Sequence, residues 1–441
     1  MANEWRQTTL DQLGRIVTGK TPPSSRPGNF GGDIPFITPS DFDDGRLISK
    51  TMRSLSQEGI KRVSGIRIPG GSVIVSCIGS DMGKAAIAAH DSVTNQQVNS
   101  IIVNSGHDPL FLYYNLSARK SEIQRAASGS AQPILNKTSF GQLQILLPPR
   151  KEQSAIAQIL GTLDDKIEMN RRKNETLEAI ARAVFKSWFV DFDPVHAKAE
   201  GRDTGLPKEI ADLFPNSLVN SALGEIPKGW RMLPLAECVD AARGLSYKGS
   251  GLSDSGLPMH NLNSIYEGGG YKHEGIKHYE GDYRPHHVAR AGDLIVANTE
   301  QGHNRLLIGY AAIVPARFDG ESLFSHHIYR VRPRSSSGLT PDYLCHLLNT
   351  SVMHDTVSGY ANGTTVNMLP IDGLQSPFVV VPPSVIVRAF DGFAEAARKR
   401  HGEMMDESRT LAALRDTLLP RLISGVIRVR NAERMVAEVG S

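Results

Sequence analysis

The stretch LLPPRKEQSAIAQILGTLDDKIEMNRRKN, residues 146–174, carries the strongest structural signal in the chain. Pro148 and Pro149 end a short apolar run and launch a helix, because proline suits a helix's first turn and is costly further in. From there the seam positions step by four and three alternately: Ile156, Leu160, Leu163, Ile167, Asn170, Asn174, Leu177, Ala181, Val184 and Trp188. A heptad pattern sustained this long predicts a helix with one apolar edge that meets a partner helix. Asn170 and Asn174 interrupt that edge and are expected to fix its register at some cost in stability.

The partner lies further along the same chain. FVVVPP (378–383) repeats QILLPP (144–149), and the seam shifted by 234 residues reads Phe390, Ala394, Ala397, His401, Met404, Ser408, Leu411, Arg415, Leu418 and Leu422. His401 and Arg415 make this copy the weaker one. Charge beside both seams (DDK, RRK, RKRH) suits helices solvated on their other faces. The two are therefore expected to pair with each other.

The repeat extends well beyond the helices. Trp5-Arg6 is answered by Trp230-Arg231 and Gly19 by Gly244, both 225 residues on. GGSVIVSCIGS (70–80) resembles AGDLIVANTEQ (291–301), NQQVNSIIV (95–103) resembles SHHIYRVRP (325–333), and DPLFLYYNL (108–116) resembles TPDYLCHLLN (340–349). Short β-branched runs bounded by Gly, Pro, Asn and Asp predict strands, and LFLYYNLSARKSEIQRAA (110–127) predicts a helix among them. Each half is thus a mixed β/α domain followed by a long helix. The boundaries read as 1–150 and 226–383 for the domains, 151–190 and 384–425 for the helices, 191–225 for a linker and 426–441 for a tail.

Composition narrows the class without deciding it. With 441 residues, 40% hydrophobic and 22% charged, the chain is expected to be soluble and large enough for several cores. No apolar run is long enough to span a bilayer, and MANEWRQTTLDQ does not read as a signal peptide. Cys77, Cys238 and Cys345 lack CxxC spacing, which argues against a disulfide framework or structural zinc and for a reducing, cytoplasmic setting. A net charge of +3 is compatible with nucleic acid but selects nothing by itself.

The wording of several segments goes further. IPFITPSDF (34–42), VIVSCIGSDMGKAAI (73–87), NQQVNSI (95–101), the stretch 146–174 and ARAVFKSWFVDFDPVHAKAEG (181–201) resemble the specificity (S) subunits of type I restriction–modification enzymes. The resemblance implies an α+β fold: two related mixed β/α target recognition domains separated by two long helices that form an antiparallel coiled coil, with a pseudo-two-fold repeat. Antiparallel pairing would bring Ile156 near Leu422 and Trp188 near Phe390. It also implies that each domain reads one half of a bipartite double-stranded DNA target. The helices would set the spacer and dock two methyltransferase (M) subunits, with restriction/translocase (R) subunits completing the complex. The chain itself would be non-catalytic and hold no cofactor or metal. Adenine methylation, DNA cleavage, S-adenosylmethionine, ATP and Mg would belong to the partners.

One motif invites a different reading. GRIVTGKT, Gly14 to Thr21, fits the phosphate-binding pattern G-x-x-x-x-G-K-[ST], which would make the chain a P-loop ATPase. That site needs a helix starting at the Lys-Thr step, and Pro22 and Pro23 oppose one. The repeat partner at Gly244 has no lysine, and I-x-x-G-x-T-P is a common opening in the specificity subunits. The segment is therefore expected to be a loop that presents Lys20 to a phosphate backbone. A purely structural coiled-coil adaptor is also disfavoured, because two large mixed domains exceed what a scaffold requires. The amino-methyltransferase signature [ND]-P-P-[FY] does not occur, which leaves methyl transfer to a partner. The doublets His286-His287 and His326-His327 are read as polar surface or DNA-contacting groups, since neighbours in a strand face opposite ways.

Bases are read by Asn, Gln, Arg, Lys and Ser/Thr, and phosphates are held by Lys, Arg and backbone N–H groups. Candidate readers cluster in loops that recur in both halves. They are Lys20, Ser80, Asp81, Lys84, Gln96, Gln97 and Asn99 in the first domain. In the second they are Asn298, Gln301, His303, Asn304, Arg305, His326 and His327.

Overall fold

A computed structural model describes residues 5–42, 45–79, 81–127, 134–301, 305–318, 320–363 and 366–439. The chain divides into two compact units, residues 1–171 with 405–441, and residues 172–404. Each long helix contributes to both. Arg150–Phe189 changes unit after Arg171, and Ser384–Ile423 changes after Met404.

The first unit is built on a five-stranded sheet in which Gly14–Thr18 and Val73–Ser76 flank Val98–Val103, followed by Ala85–Ala88 and Leu47–Ile48. Alternation along Val73–Ser76 explains why both faces are covered. Val73 and Val75 point into a core with Phe111, Leu112, Ile156 and Leu160. Ile74 points the other way, to Ile37, Phe42 and Ile48. The segment 110–127, expected to be one helix, is two: Pro109–Ser117 and Lys120–Ala126. The Asp108 carboxylate caps the first by accepting from the N–H groups of Leu110 and Phe111.

Residues 14–21 depart from expectation more sharply. Gly14–Thr18 is a strand paired antiparallel with Val98–Val103, not a loop. The run Ile16-Val17 is buried in it, and no helix starts at Lys20 or Thr21. The strand–loop–helix order of a phosphate cradle is absent there. Gly19 is a glycine for a local reason: a Cβ would stand 2.2 Å from the carbonyl oxygens of Thr94 and Asn95. Its repeat partner Gly244 meets the same obstacle, 2.2 Å from the oxygen of Ser325 and 2.4 Å from that of Phe324.

The second unit repeats this plan. Val239–Arg243, Ile328–Pro333, Leu294–Ala297 and Ala311–Ile313 form its four-stranded central sheet. The outer ladder Arg6–Thr9 with Gln144–Leu147 is matched by Arg231–Pro234 with Phe378–Val381. Residues 191–225, read from sequence as a linker, contain the helices Asp193–Ala199 and Lys208–Ala211 and the hairpin Leu218–Ser221/Gly224–Pro227. Phe214 from this segment packs edge-on against Trp188 at 5.3 Å, so the segment belongs to the core. The presumed tail likewise forms a helix, Val429–Val439, whose Ala432 and Met435 join the core of the first unit. Arg428 and Trp5 converge there on the Glu152 carboxylate.

Inside each unit the long-helix segments run antiparallel. In the first, Ile156 shares a core with Leu418 and Leu422, Asp164 meets Arg415 at 2.7 Å, and Asn170 donates to Glu407 at 2.7 Å. In the second, Glu178 meets His401 at 3.1 Å, and Phe185 and Trp188 pack on Phe390 at 5.4 and 6.5 Å. Leu163, Ala181, Ala394 and Met404 are buried along these faces. Ile167, Leu177, Val184, Ala397 and Leu411 are half-buried. Asn174 is 6% exposed, and neither its amide nitrogen nor its oxygen finds a partner among the described residues, which fits a polar residue tolerated for register.

Candidate nucleic-acid interface

Strand register gathers the candidate readers at one end of each central sheet. In the first unit Thr18 pairs with Asn99, Ser76 with Val98, and Val75 with Ala85. The residues after Thr18, residues 77–79 and 81–84, and those before Val98 therefore emerge together. In the second unit Arg243 pairs with Tyr329, Ala297 with Ile328, and Val296 with Ala311. The same end there collects residues 244–248, 298–301, 305–310 and 325–327.

The correspondence extends to single hydrogen bonds. Lys20 N–H donates to the Thr94 carbonyl at 2.9 Å, as Leu245 N–H does to Phe324 at 2.7 Å. Cys77 N–H donates to Gln97 at 2.8 Å, as Asn298 N–H does to His327 at 3.0 Å. Gln96-Gln97 and His326-His327 therefore occupy the same turn of the same fold. His326-His327 lies between strands and His286-His287 in a single helical turn, so neither doublet sits in a strand. Their rings adjoin, with centroids 3.8 and 4.1 Å apart.

Two candidates are withdrawn by burial. Asn99, 1% exposed, donates to the Leu135 carbonyl at 3.1 Å and accepts from Thr18 at 2.6 Å. Asn298, also 1% exposed, donates to the His326 carbonyl at 3.1 Å. Both hold the turns in place and cannot touch a base. Ser80, His303 and Asn304 lie outside the described residues. Gln301 belongs to the ladder Thr299–Gln301 with Val366–Met368.

The remaining candidates reach solvent. Lys20 and Gln96 are exposed, and the Gln96 amide oxygen accepts from Thr21 at 2.7 Å. Gln97 is half-buried, and its amide oxygen accepts from Asn95. Asp81 and Lys84 form an ion pair at 2.9 Å and partly neutralise each other. Arg305 is exposed at φ 50, in the left-handed region. Glu300 shapes the segment around Arg305 by accepting from the N–H groups of Leu306, Leu307 and Ile308 at 2.8, 3.0 and 3.2 Å.

Sequence reasoning missed three neighbours of the histidine turn. Arg243 and Lys277 are close enough to act on His327 electrostatically. Tyr247 has its ring 6.2 Å from that of His326 and accepts from the Lys277 ammonium at 2.8 Å. Arg243 directly precedes the repeated Gly244, a position that could have drawn attention. Nothing local marks Lys277. The charge of this end is set by burial and by neighbours of one sign: burial, His326, Lys277 and Arg243 together push the His327 imidazole below its ordinary pKa.

Comparison with known proteins gives these two sheet ends a context. The family described as the type I restriction modification DNA specificity domain matches residues 2–179. The chain carries a type I restriction–modification DNA specificity domain. The MjaIX type I restriction enzyme specificity subunit of Methanocaldococcus jannaschii is 25% identical over 441 residues, covering 97% of this chain and 94% of the relative. The HindI specificity subunit of Haemophilus influenzae is 34% identical over 179 residues, 39% of each chain. The crystal structure of an S subunit from M. genitalium shares the fold across 96% of this chain and 97% of its own, with a TM-score of 0.58 at 14% identity. The function class is DNA recognition within a type I restriction–modification system. The internal repeat supplies the second unit with the same sheet end as the specificity domain. No helix among the described residues is long and apolar enough to cross a membrane.

Proposed function

We propose that the chain is the specificity subunit of a type I complex and reads a bipartite duplex, one half-site with each unit. The observation that carries this reading is the equivalence of the two sheet ends, with Gln96-Gln97 and His326-His327 presented on matching turns. Related domains bearing different residues at one position suit the reading of two different short sequences. Lys20, Asp81, Lys84, Gln96 and Gln97 would meet the first half-site, and Gln301, Arg305, His326 and His327 the second. The paired helices would fix the spacing and offer docking surface to two methyltransferase subunits, with restriction subunits joining them. Methyl transfer to adenine and cleavage would be carried out by those partners with S-adenosylmethionine, ATP and Mg. A chain that reads such a target would work in the cytoplasm.

The test is co-expression with the neighbouring methyltransferase, purification of the complex and mapping of the bases it methylates. Exchange of residues 1–143 for the equivalent domain of a relative should alter one half-site and leave the other intact. Alteration of both would defeat modular reading, and absence of any site-specific methylation would defeat the assignment.

A further inference from the structure

The matching turns carry different chemistry. In the first unit the turn holds two neutral amides, and the neighbouring Lys84 is neutralised by Asp81. In the second it holds two imidazoles, beside two cations that form no ion pair among the described residues. Arg243 is exposed, and its guanidinium touches the Met368 thioether at 3.8 Å. The Lys277 ammonium donates to the Tyr247 hydroxyl and stands 5.3 Å over its ring. His327 Nδ1 is engaged by the Thr299 hydroxyl at 2.9 Å, which leaves Nε2 for another partner. His326 Nδ1 is buried without a partner among the described residues.

We propose that the second unit grips the phosphate backbone of its half-site through Arg243, Lys277, His326 and His327, taking up a proton as it binds, while the matching turn of the first unit carries neutral amides and leaves its phosphate contact to Lys20. This rests on the DNA-reading assignment above and specifies how one half of it works. The titratable and charged groups around the imidazoles are Arg243 at a strand end, Tyr247 in the following loop, and Lys277 on the strand Lys277–Tyr279. In the free protein Arg243 and Lys277 add to burial in disfavouring the charged imidazole of His327. A phosphodiester placed among these groups reverses that field and favours the protonated ring. The imidazole pKa is then higher in the complex than in the free protein, so binding consumes a proton and tightens as pH falls through that interval.

The experiment is duplex binding by the full-length chain in its co-purified complex, with a duplex carrying the target fixed by methylation mapping. Between about pH 8 and about pH 6 affinity should rise on the order of fivefold for one engaged histidine. The variant His326→Gln/His327→Gln carries at this turn the pair that the first unit bears naturally. It should keep its melting temperature, bind with little pH dependence and retain the first half-site. Arg243→Gln and Lys277→Gln should each lower the salt slope of log affinity by about one. Equal pH responses in wild type and the double variant, with duplex still bound, would overturn the proposal. Absence of duplex binding at every pH would remove the DNA-reading assignment and this grip with it.

Discussion

Arg415 Nη1 lies 2.7 Å from Oδ1 of Asp164, joining the two long helices inside the first unit. The other carboxylate oxygen accepts from the Tyr114 hydroxyl at 2.6 Å, so the acid is satisfied from both sides. The Asp164 and Arg415 side chains are 14% and 29% exposed. Removing Asp164 leaves Arg415 with the exposed Asp416 as its carboxylate and takes away the acceptor of the Tyr114 hydroxyl, at a cost of about 2 kcal/mol. Asp164→Ala should therefore lower the melting transition of the first unit by about 4–8 °C. Replacing both residues with leucine should recover part of that loss, because an apolar pair leaves no charge short of a partner. Calorimetry of the three proteins would show whether it does.

His260 should make the second unit acid-sensitive. It is fully buried, bonded to the hydroxyls of Tyr271 and Ser322 at 2.9 Å each, and burial pushes its imidazole down to about 3. The unfolded chain binds that proton near pH 6.5, whereas the folded chain resists it until about pH 3. Stability is thus fully present above about pH 6.5 and falls as pH drops below it, by about 2 kcal/mol at pH 5. His260→Gln should be less stable at neutral pH but lose this slope between pH 7 and pH 5. A slope unchanged in the variant would assign the acid sensitivity elsewhere.

Neighbours on one polar stretch should behave in opposite ways. Asn99→Ala orphans the buried Leu135 carbonyl and should cost about 1–3 kcal/mol, with half-site preference unchanged in whatever protein folds. Gln96→Ala and Gln97→Ala should leave the melting temperature within about a degree and weaken or relax the first half-site only. Methylation mapping beside thermal melting separates the two classes. A relaxed half-site in Asn99→Ala at full occupancy would contradict its assignment to the core.

The two repeated glycines make a matched pair of tests. In Gly19→Ala and Gly244→Ala the new methyl must displace backbone, not a pliable side chain. Each should destabilise its own unit by about 2 kcal/mol or more and leave the other unit's transition in place. Limited proteolysis would show which unit opens.

The heptad edge and the repeat were legible because both are periodic, and periodicity survives ignorance of partners. His401 and Arg415 looked like flaws in the second edge. Their carboxylates, Glu178 and Asp164, sit on the other helix, where only the antiparallel alignment brings them opposite. Asn99 looked like a reader because it follows Gln96 and Gln97 in one polar run. The strand begins at Val98, and pairing with Thr18 turns the next residue inward. Gly14 and Thr18 resembled turn residues and concealed a strand with only Ile16 and Val17 as its apolar signal. The electropositive neighbours Arg243 and Lys277 are brought to His327 by pairing over long sequence separations, which local reading does not see.

The helix Val429–Val439 fixes an order of events in the making of the protein. Residues 172–404 are contiguous and can assemble as they leave the ribosome, since every segment of that unit is already to hand. The other unit begins earlier yet finishes later. Its hydrophobic positions Ile156, Leu160 and Leu163 wait for Leu418, Leu422 and Ala432 to be translated. During that interval the nascent chain carries an uncovered apolar stripe, a natural place for a chaperone to bind. A released chain that ended after Met404 would then hold one finished unit and one unfinished one, although the unfinished one was started first.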